Sequence, residues 1–153
     1  MSAVEDRLSE LGLSVPEVAA PLAAYVPAVR TGNYVFTSGQ LPLRDGQLLL
    51  TGKVGGEVSG EEAAECARQC GLNAIAAVKA EIGDLDKVKR IVKTVVFVAS
   101  TPNFIGQPLV ANGASELFGT AFGVAGQHAR SAVGVPVLPL DAPVELELIV
   151  EVE

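Results

Sequence analysis

The residues of this chain that could do chemistry are few, and one strand opening holds the best of them. His128-Ala129-Arg130-Ser131-Ala132-Val133 sets an arginine at the head of an apolar run, just after the Gly-rich stretch Gly119 to Gly126. A planar guanidinium can grip a carboxylate through two parallel hydrogen bonds, a geometry closed to lysine. The competing reading of Arg130 is a side chain whose stem lies along the surface with its head in water. Near the C-terminus, Val144, Leu146, Leu148, Val150 and Val152 alternate with Glu145, Glu147, Ile149 and Glu151. On a strand these carboxylates share one face, and one of them close to Arg130 could orient or deprotonate a water. The others read as a solvated or subunit-facing side.

Other candidates carry less. His128 is the only histidine, so no histidine cluster can hold a metal, and alone it reads as a loop or interface residue. Cys66 and Cys70 stand four apart on a predicted helix, half of a metal site without a second half, and read as small core residues. The stretch Gly46 to Lys53 resembles a phosphate loop, but its spacing is one residue too long and Val54 replaces the Mg²⁺-binding hydroxyl. No dinucleotide fingerprint and no Gly-x-Ser-x-Gly elbow occurs. The chain is therefore expected to work without metal or other cofactor.

Positioning these groups takes a frame of strands and two main helices. Residues 2–11 predict a short amphipathic helix, and Pro16, Pro21 and Pro27 then impose extended or turning backbone. Tyr25 to Arg30 and Tyr34 to Thr37, joined at Thr31-Gly32-Asn33, read as a hairpin. Asp45 to Gly60 holds five glycines and reads as a loop or loosely paired ribbon. Ser59 with Glu62 makes a capping box, and an Ala-rich apolar stripe runs from Ala63 to Ile82, with Gly83 as the stop. Val88 to Ala99 reads as a buried strand. A second helical region opens at Thr101-Pro102, has a first turn ended or kinked at Pro108, and runs to about Phe118. Strands Arg130 to Val135 and Val144 to Val152 complete the order. Strands mixed with two helices imply one α+β domain over 1–153, its sheet covered by helices on one face and open to subunit partners on the other.

Bulk properties exclude several classes. The chain has 153 residues, 49% of them hydrophobic and 19% charged, which suits a single folded core. A net charge of −7 with 5% aromatic residues argues against nucleic acid, which needs basic patches and stacking platforms. No apolar run approaches the roughly 18–20 residues of a membrane span. Glu5, Asp6 and Glu10 fit neither a signal nor a transit peptide, so a cytoplasmic setting with reduced thiols is expected.

Three segments together carry a family resemblance. Asn33-Tyr-Val-Phe-Thr-Ser-Gly-Gln-Leu-Pro42, Ile91-Val-Lys-Thr-Val-Val-Phe-Val98, and Ala129-Arg-Ser-Ala-Val133 through Val144-Glu-Leu-Glu147 resemble the Rid family of reactive intermediate deaminases. These YjgF-type proteins are also labelled L-PSP-like endoribonucleases or translation inhibitors. The resemblance runs in order from about Tyr25 to the C-terminus. It implies a chorismate-mutase-like fold, a homotrimer with sites between subunits, and cofactor-free hydrolysis of 2-imino or enamine acids to 2-keto acids and ammonia. It also leaves room for a non-catalytic trimeric binder of small carboxylates or keto acids, and for the endoribonuclease or translation-inhibitor reading.

Residue by residue, the resemblance makes Arg130 the carboxylate-binding arginine and Glu145 the glutamate that positions the attacking water. Tyr25 matches a tyrosine near the mouth, Ser38 the serine of a Ser-Gly motif, Gly39 a backbone donor, and Asn112 the asparagine of the second helix. Ala132 stands where a cysteine is common, at a position that contributes through its backbone carbonyl. His128 stands where many members have proline. The Asp45–Gly60 connection and the loop before Arg130 are longer than usual, which points to a side branch.

Overall fold

A computed structural model describes all of residues 1–153. In chain order the elements are helix α1 (Ala3–Glu10), strands β1 (Ala28–Thr31), β2 (Tyr34–Thr37), β3 (Leu43–Arg44) and β4 (Gln47–Leu48), helix α2 (Gly60–Ile82), strand β5 (Val88–Ala99), helix α3 (Gln107–Phe122), and strands β6 (Ala129–Val135) and β7 (Val144–Val152). Five strands make one mixed sheet in the order β1-β2-β7-β5-β6, with β3 and β4 as a separate ribbon. β6 runs parallel to β5, as the crossover through α3 requires, and every other neighbour in the main sheet is antiparallel. The architecture is α+β, with α2 and α3 on one face of the sheet.

Local chemistry explains the main boundaries. α2 starts where the Ser59 hydroxyl accepts from Glu62 N–H at 3.1 Å and the Glu62 carboxylate accepts from Ser59 N–H at 3.0 Å. It ends at Gly83, whose φ of 80° is open to glycine. The strict alternation of β7 buries Val144, Leu146, Leu148, Val150 and Val152 beneath the helices. They join one cluster with the Ala-rich face of α2, Val110 and Phe118 of α3, and Val4 and Leu8 of α1. Small residues let α2 and α3 approach closely. A Cβ added at Gly113 would lie 2.0 Å from the Ala64 carbonyl oxygen. Gly113→Ala should therefore destabilise the fold by about 1–3 kcal/mol despite alanine's higher helix propensity, because the clash is with backbone. Denaturant unfolding checks this; an unchanged midpoint would refute the close contact.

The sheet's other face is uncovered in the protomer: Val29, Phe36 and Val133 are 53%, 43% and 44% exposed. No helix of the chain is long and apolar enough to cross a membrane.

Several expectations need correction. Pro108 does not end or kink a first turn. It lies in the opening turn of α3, where its missing N–H costs nothing, so Thr101 to Gly106 precede the helix. α3 also passes through Gly119 to Phe122 before a 3₁₀ turn at Gly123–Gly126. Tyr25 lies before β1, in the bend that leads to it. The Asp45–Gly60 stretch is the loop or loosely paired ribbon expected: only its start pairs, as a hairpin between β3 and β4 turning at Asp45 (φ 53°) and Gly46 (φ 79°), and the rest is loop with isolated bridges from Val54 to Val58 and Ser100.

Candidate functional site

Arg130 is held from the side by α3. Its Nη1 donates to Asn112 Oδ1 at 2.8 Å and to Ser115 Oγ at 3.2 Å, and its Nη2 donates to the Pro108 carbonyl at 3.3 Å. A guanidinium has five N–H donors. Three are engaged, so Nε–H and the second Nη2–H remain, and these form the side-on fork that matches a carboxylate. The surface-snorkelling alternative does not describe this residue: its head is pinned to a helix, one turn of which presents both Pro108 and Asn112. Ala132 follows two residues along β6 and packs against the main core.

Glu145 belongs to a different cluster. The Gln40 backbone pairs with Leu146, N–H to carbonyl in both directions at 2.7 and 3.0 Å, which lays residues 38–40 beside the start of β7. Gly39 is needed there, since a Cβ on it would fall 2.4 Å from Glu145 Oε2. The Gly39 N–H has no backbone acceptor. Ser38 Oγ donates to the Val26 carbonyl at 2.5 Å and its N–H donates to the Pro27 carbonyl at 2.8 Å, which ties the Tyr25 segment to the strand end. The Tyr25 hydroxyl accepts from Leu22 N–H at 3.2 Å, and Tyr25 and Gly39 line one small cavity with Leu22 and Leu41. Burial, and secondarily the neighbouring Glu147 carboxylate, push the Glu145 carboxyl above its ordinary value.

Register shows that one protomer does not unite the two clusters. Thr94 of β5 lies between Arg130 and Leu148, whereas Phe97 lies between Val133 and Glu145. Directly paired residues point the same way, and positions 94 and 97 point oppositely. Thr94 and Leu148 are buried beneath the helices, so Arg130 shares the helix face. Glu145 emerges on the open face, with Phe97. Tyr25, Ser38, Gly39 and Glu145 thus form one cluster, and Arg130 with Asn112 forms another at the edge strand β6. The expectation of a carboxylate beside Arg130 is not met within the chain.

Nothing here gathers into a metal centre: no three His, Cys, Asp or Glu side chains converge. Cys66 and Cys70 are free and buried, and burial raises both thiols, Cys66 to about 11, which makes them poor nucleophiles. Ser115 adjoins Arg130, and His128 adjoins Ser115. The contact of Ser115 was not legible from sequence, because serine on a helix is common and its partners lie 13 and 15 residues away.

The chain as a whole is similar to several known proteins. A family model described as "YjgF/chorismate_mutase-like, putative endoribonuclease" matches residues 5–152. Protein TCP17 of Trypanosoma cruzi is 45% identical over 149 residues, 97% of this chain and 93% of its own. A 2-iminobutanoate/2-iminopropanoate deaminase of Dermatophagoides farinae is 33% identical over 143 residues, covering 92% and 95% of the two chains. The crystal structure of Atu1372 from Agrobacterium tumefaciens, a protein of unknown function, superposes with a TM-score of 0.93 at 45% identity, covering 99% of this chain and 93% of that one.

Proposed function

Because the chain belongs to the YjgF/chorismate mutase-like family, we propose that it is a cofactor-free hydrolase of reactive 2-imino acids and their enamine tautomers. The products are 2-keto acids and ammonia. The observation that carries this reading is the Arg130 guanidinium, clamped by α3 with its side-on fork left open. Support comes also from Glu145, a carboxylate whose affinity for protons is raised by burial, and from the similarity to a deaminase.

The chemistry asks for little more. A protonated imine is already electrophilic, so the task is to hold it, present water and keep other nucleophiles out. The substrate carboxylate pairs with Nε–H and Nη2–H of Arg130. Glu145 accepts a proton from water as its oxygen bonds to the imine carbon, giving a carbinolamine. The same carboxyl then returns the proton to the amine nitrogen. The C–N bond breaks as the hydroxyl gives its proton to the Glu145 carboxylate and becomes the ketone, and the departing ammonia takes that proton away as ammonium. The free N–H of Gly39 is a donor available to the developing oxygen or to the ketone. Tyr25 and Ser38 shape the mouth on the Glu145 side, and the Ala132 carbonyl is a further acceptor near Arg130.

Since Arg130 and Glu145 occupy opposite faces of one sheet, this mechanism needs two copies of the chain. We place the site between subunits of a homotrimer whose interfaces cover the exposed apolar face around Val29, Phe36 and Val133. Light scattering at micromolar concentration should give a mass near three chains; a mass of one chain would leave the site incomplete and sink the assignment.

The direct assay couples an amino-acid oxidase, which makes imines from chosen amino acids, to the loss of imine with and without the protein. Faster loss supports the hydrolase. Binding of 2-keto acids without any acceleration favours the second reading, a carboxylate binder, because the Arg130 cluster is complete without Glu145. The endoribonuclease label attached to the family is disfavoured by the net charge of −7. A cytoplasmic setting accords with two free, buried thiols.

A further inference from the structure

The proposed reaction leaves one polar pair unused: Ser115, which touches Arg130, and His128, which touches Ser115. His128 Nδ1 lies 2.6 Å from the Gly126 carbonyl oxygen. A carbonyl only accepts, so Nδ1 carries the proton. In the neutral ring Nε2 is then an acceptor, and the Ser115 hydroxyl, 2.8 Å away, donates to it. With its hydrogen committed to His128, Ser115 Oγ presents a lone pair to Arg130 Nη1 at 3.2 Å.

The anchors of this chain are firm. Gly126 is seated so closely that a Cβ on it would fall 2.1 Å from the Phe118 carbonyl oxygen. The Phe118 ring meets the His128 ring edge-on, with centroids 5.7 Å apart and planes at 81°. A free serine hydroxyl on a helix has another option, which is to bond back to the carbonyl one turn earlier. His128 removes that option by taking the hydrogen.

We propose that Ser115 and His128 are positioning residues for the carboxylate grip of Arg130, fixing the plane of the guanidinium so that its side-on fork faces the substrate. Asn112 alone would hold Nη1 at one point and let the group pivot about it. Ser115 supplies a second acceptor on the same nitrogen, and with the Pro108 carbonyl three acceptors define the plane. His128 acts through Ser115 and does not touch the substrate. The inference rests on Arg130 being the carboxylate site, so the experiment separates the two.

The probe is 2-oxobutanoate, with 2-oxobutanamide as its uncharged counterpart, titrated by calorimetry into the assembled protein and its Arg130→Ala, Ser115→Ala, Ser115→Thr and His128→Ala variants. Imine turnover is measured in parallel. Ser115→Ala and His128→Ala should each weaken 2-oxobutanoate about five- to tenfold, the usual cost of one lost hydrogen bond, and raise KM more than they lower kcat. The amide should bind these variants and the wild type alike. Ser115→Thr, which keeps the hydroxyl, should recover most of the affinity lost in Ser115→Ala. Equal weakening of acid and amide would reduce the pair to a structural role and overturn the proposal. So would unchanged affinity in both alanine variants while Arg130→Ala abolishes binding, and the carboxylate site itself would then stand. If Arg130→Ala also binds 2-oxobutanoate normally, the site assignment falls and the relay with it. Should His128→Ala fail to fold, the Ser115 pair decides alone.

Discussion

Arg130→Ala should lower kcat/KM for every 2-imino acid by roughly 10²-fold or more, equivalent to about 3 kcal/mol of lost charge-assisted pairing. The size follows from geometry. The guanidinium is partly buried, pinned by three acceptors on α3, and offers its remaining two donors as a ready-made fork. Arg130→Lys keeps the charge but has neither a plane nor enough donors to satisfy Asn112, Ser115 and a carboxylate together, so it should rescue only part of the loss. Steady-state kinetics on enzymatically generated imines measure both. Wild-type rates in Arg130→Ala would remove Arg130 from the reaction, and keto acids still bound by the variant would take the assignment from the whole cluster.

Glu145→Gln should instead act on kcat, by about 10²–10³-fold, with KM little changed, because proton transfer from water belongs to the transition state. The pH dependence gives an independent sign. Glu145 must be ionised to take the proton, and its carboxyl titrates above the ordinary carboxylate range. Activity is therefore lost as pH falls through that raised value, and the acid limb of kcat/KM should lie above the usual carboxylate position. Glu147→Gln removes the smaller of the two causes of the shift, so it should move the limb to lower pH without abolishing it, burial being the larger cause. A limb that moved upward in Glu147→Gln would contradict the assignment of Glu145 as base.

Legibility of the fold followed the range of the interactions involved. Strand β7 was readable to its ends because alternation is a direct image of one buried face. α2 was readable because Ser59, Glu62 and Gly83 announce its ends through contacts three or four residues long. Pro108 misleads for a reason equally local: proline breaks a helix interior but suits its first turn, and only the true start at Gln107 distinguishes the two. The β3–β4 turn carried its signal in Asp45-Gly46, a dipeptide suited to left-handed backbone, masked by the surrounding glycines. What lay beyond reach was pairing across the sheet. That Arg130 stands level with Thr94 and Glu145 with Phe97 depends on register, and register decides which face each side chain takes. The same holds for the side-chain network in which Arg44 binds Gln69, Gln69 binds Asn73, and Asn73 holds the Leu41 and Leu43 carbonyls.

Helix α1 is stitched to parts of the chain made much later. Glu5 pairs with Lys79, the Ala3 and Val4 N–H groups donate to Asp86 at 3.0 and 3.4 Å, and Arg7 Nη1 donates to the Ala121 carbonyl at 2.8 Å. These partners lie between 74 and 114 residues downstream. An isolated helix of eight residues is too short to persist in water, where roughly 12–15 are marginal. During synthesis α1 therefore has nothing to fold against until α2, β5 and α3 have followed it. Its docking closes loops of up to 114 residues, so α1 is made well before it can become ordered.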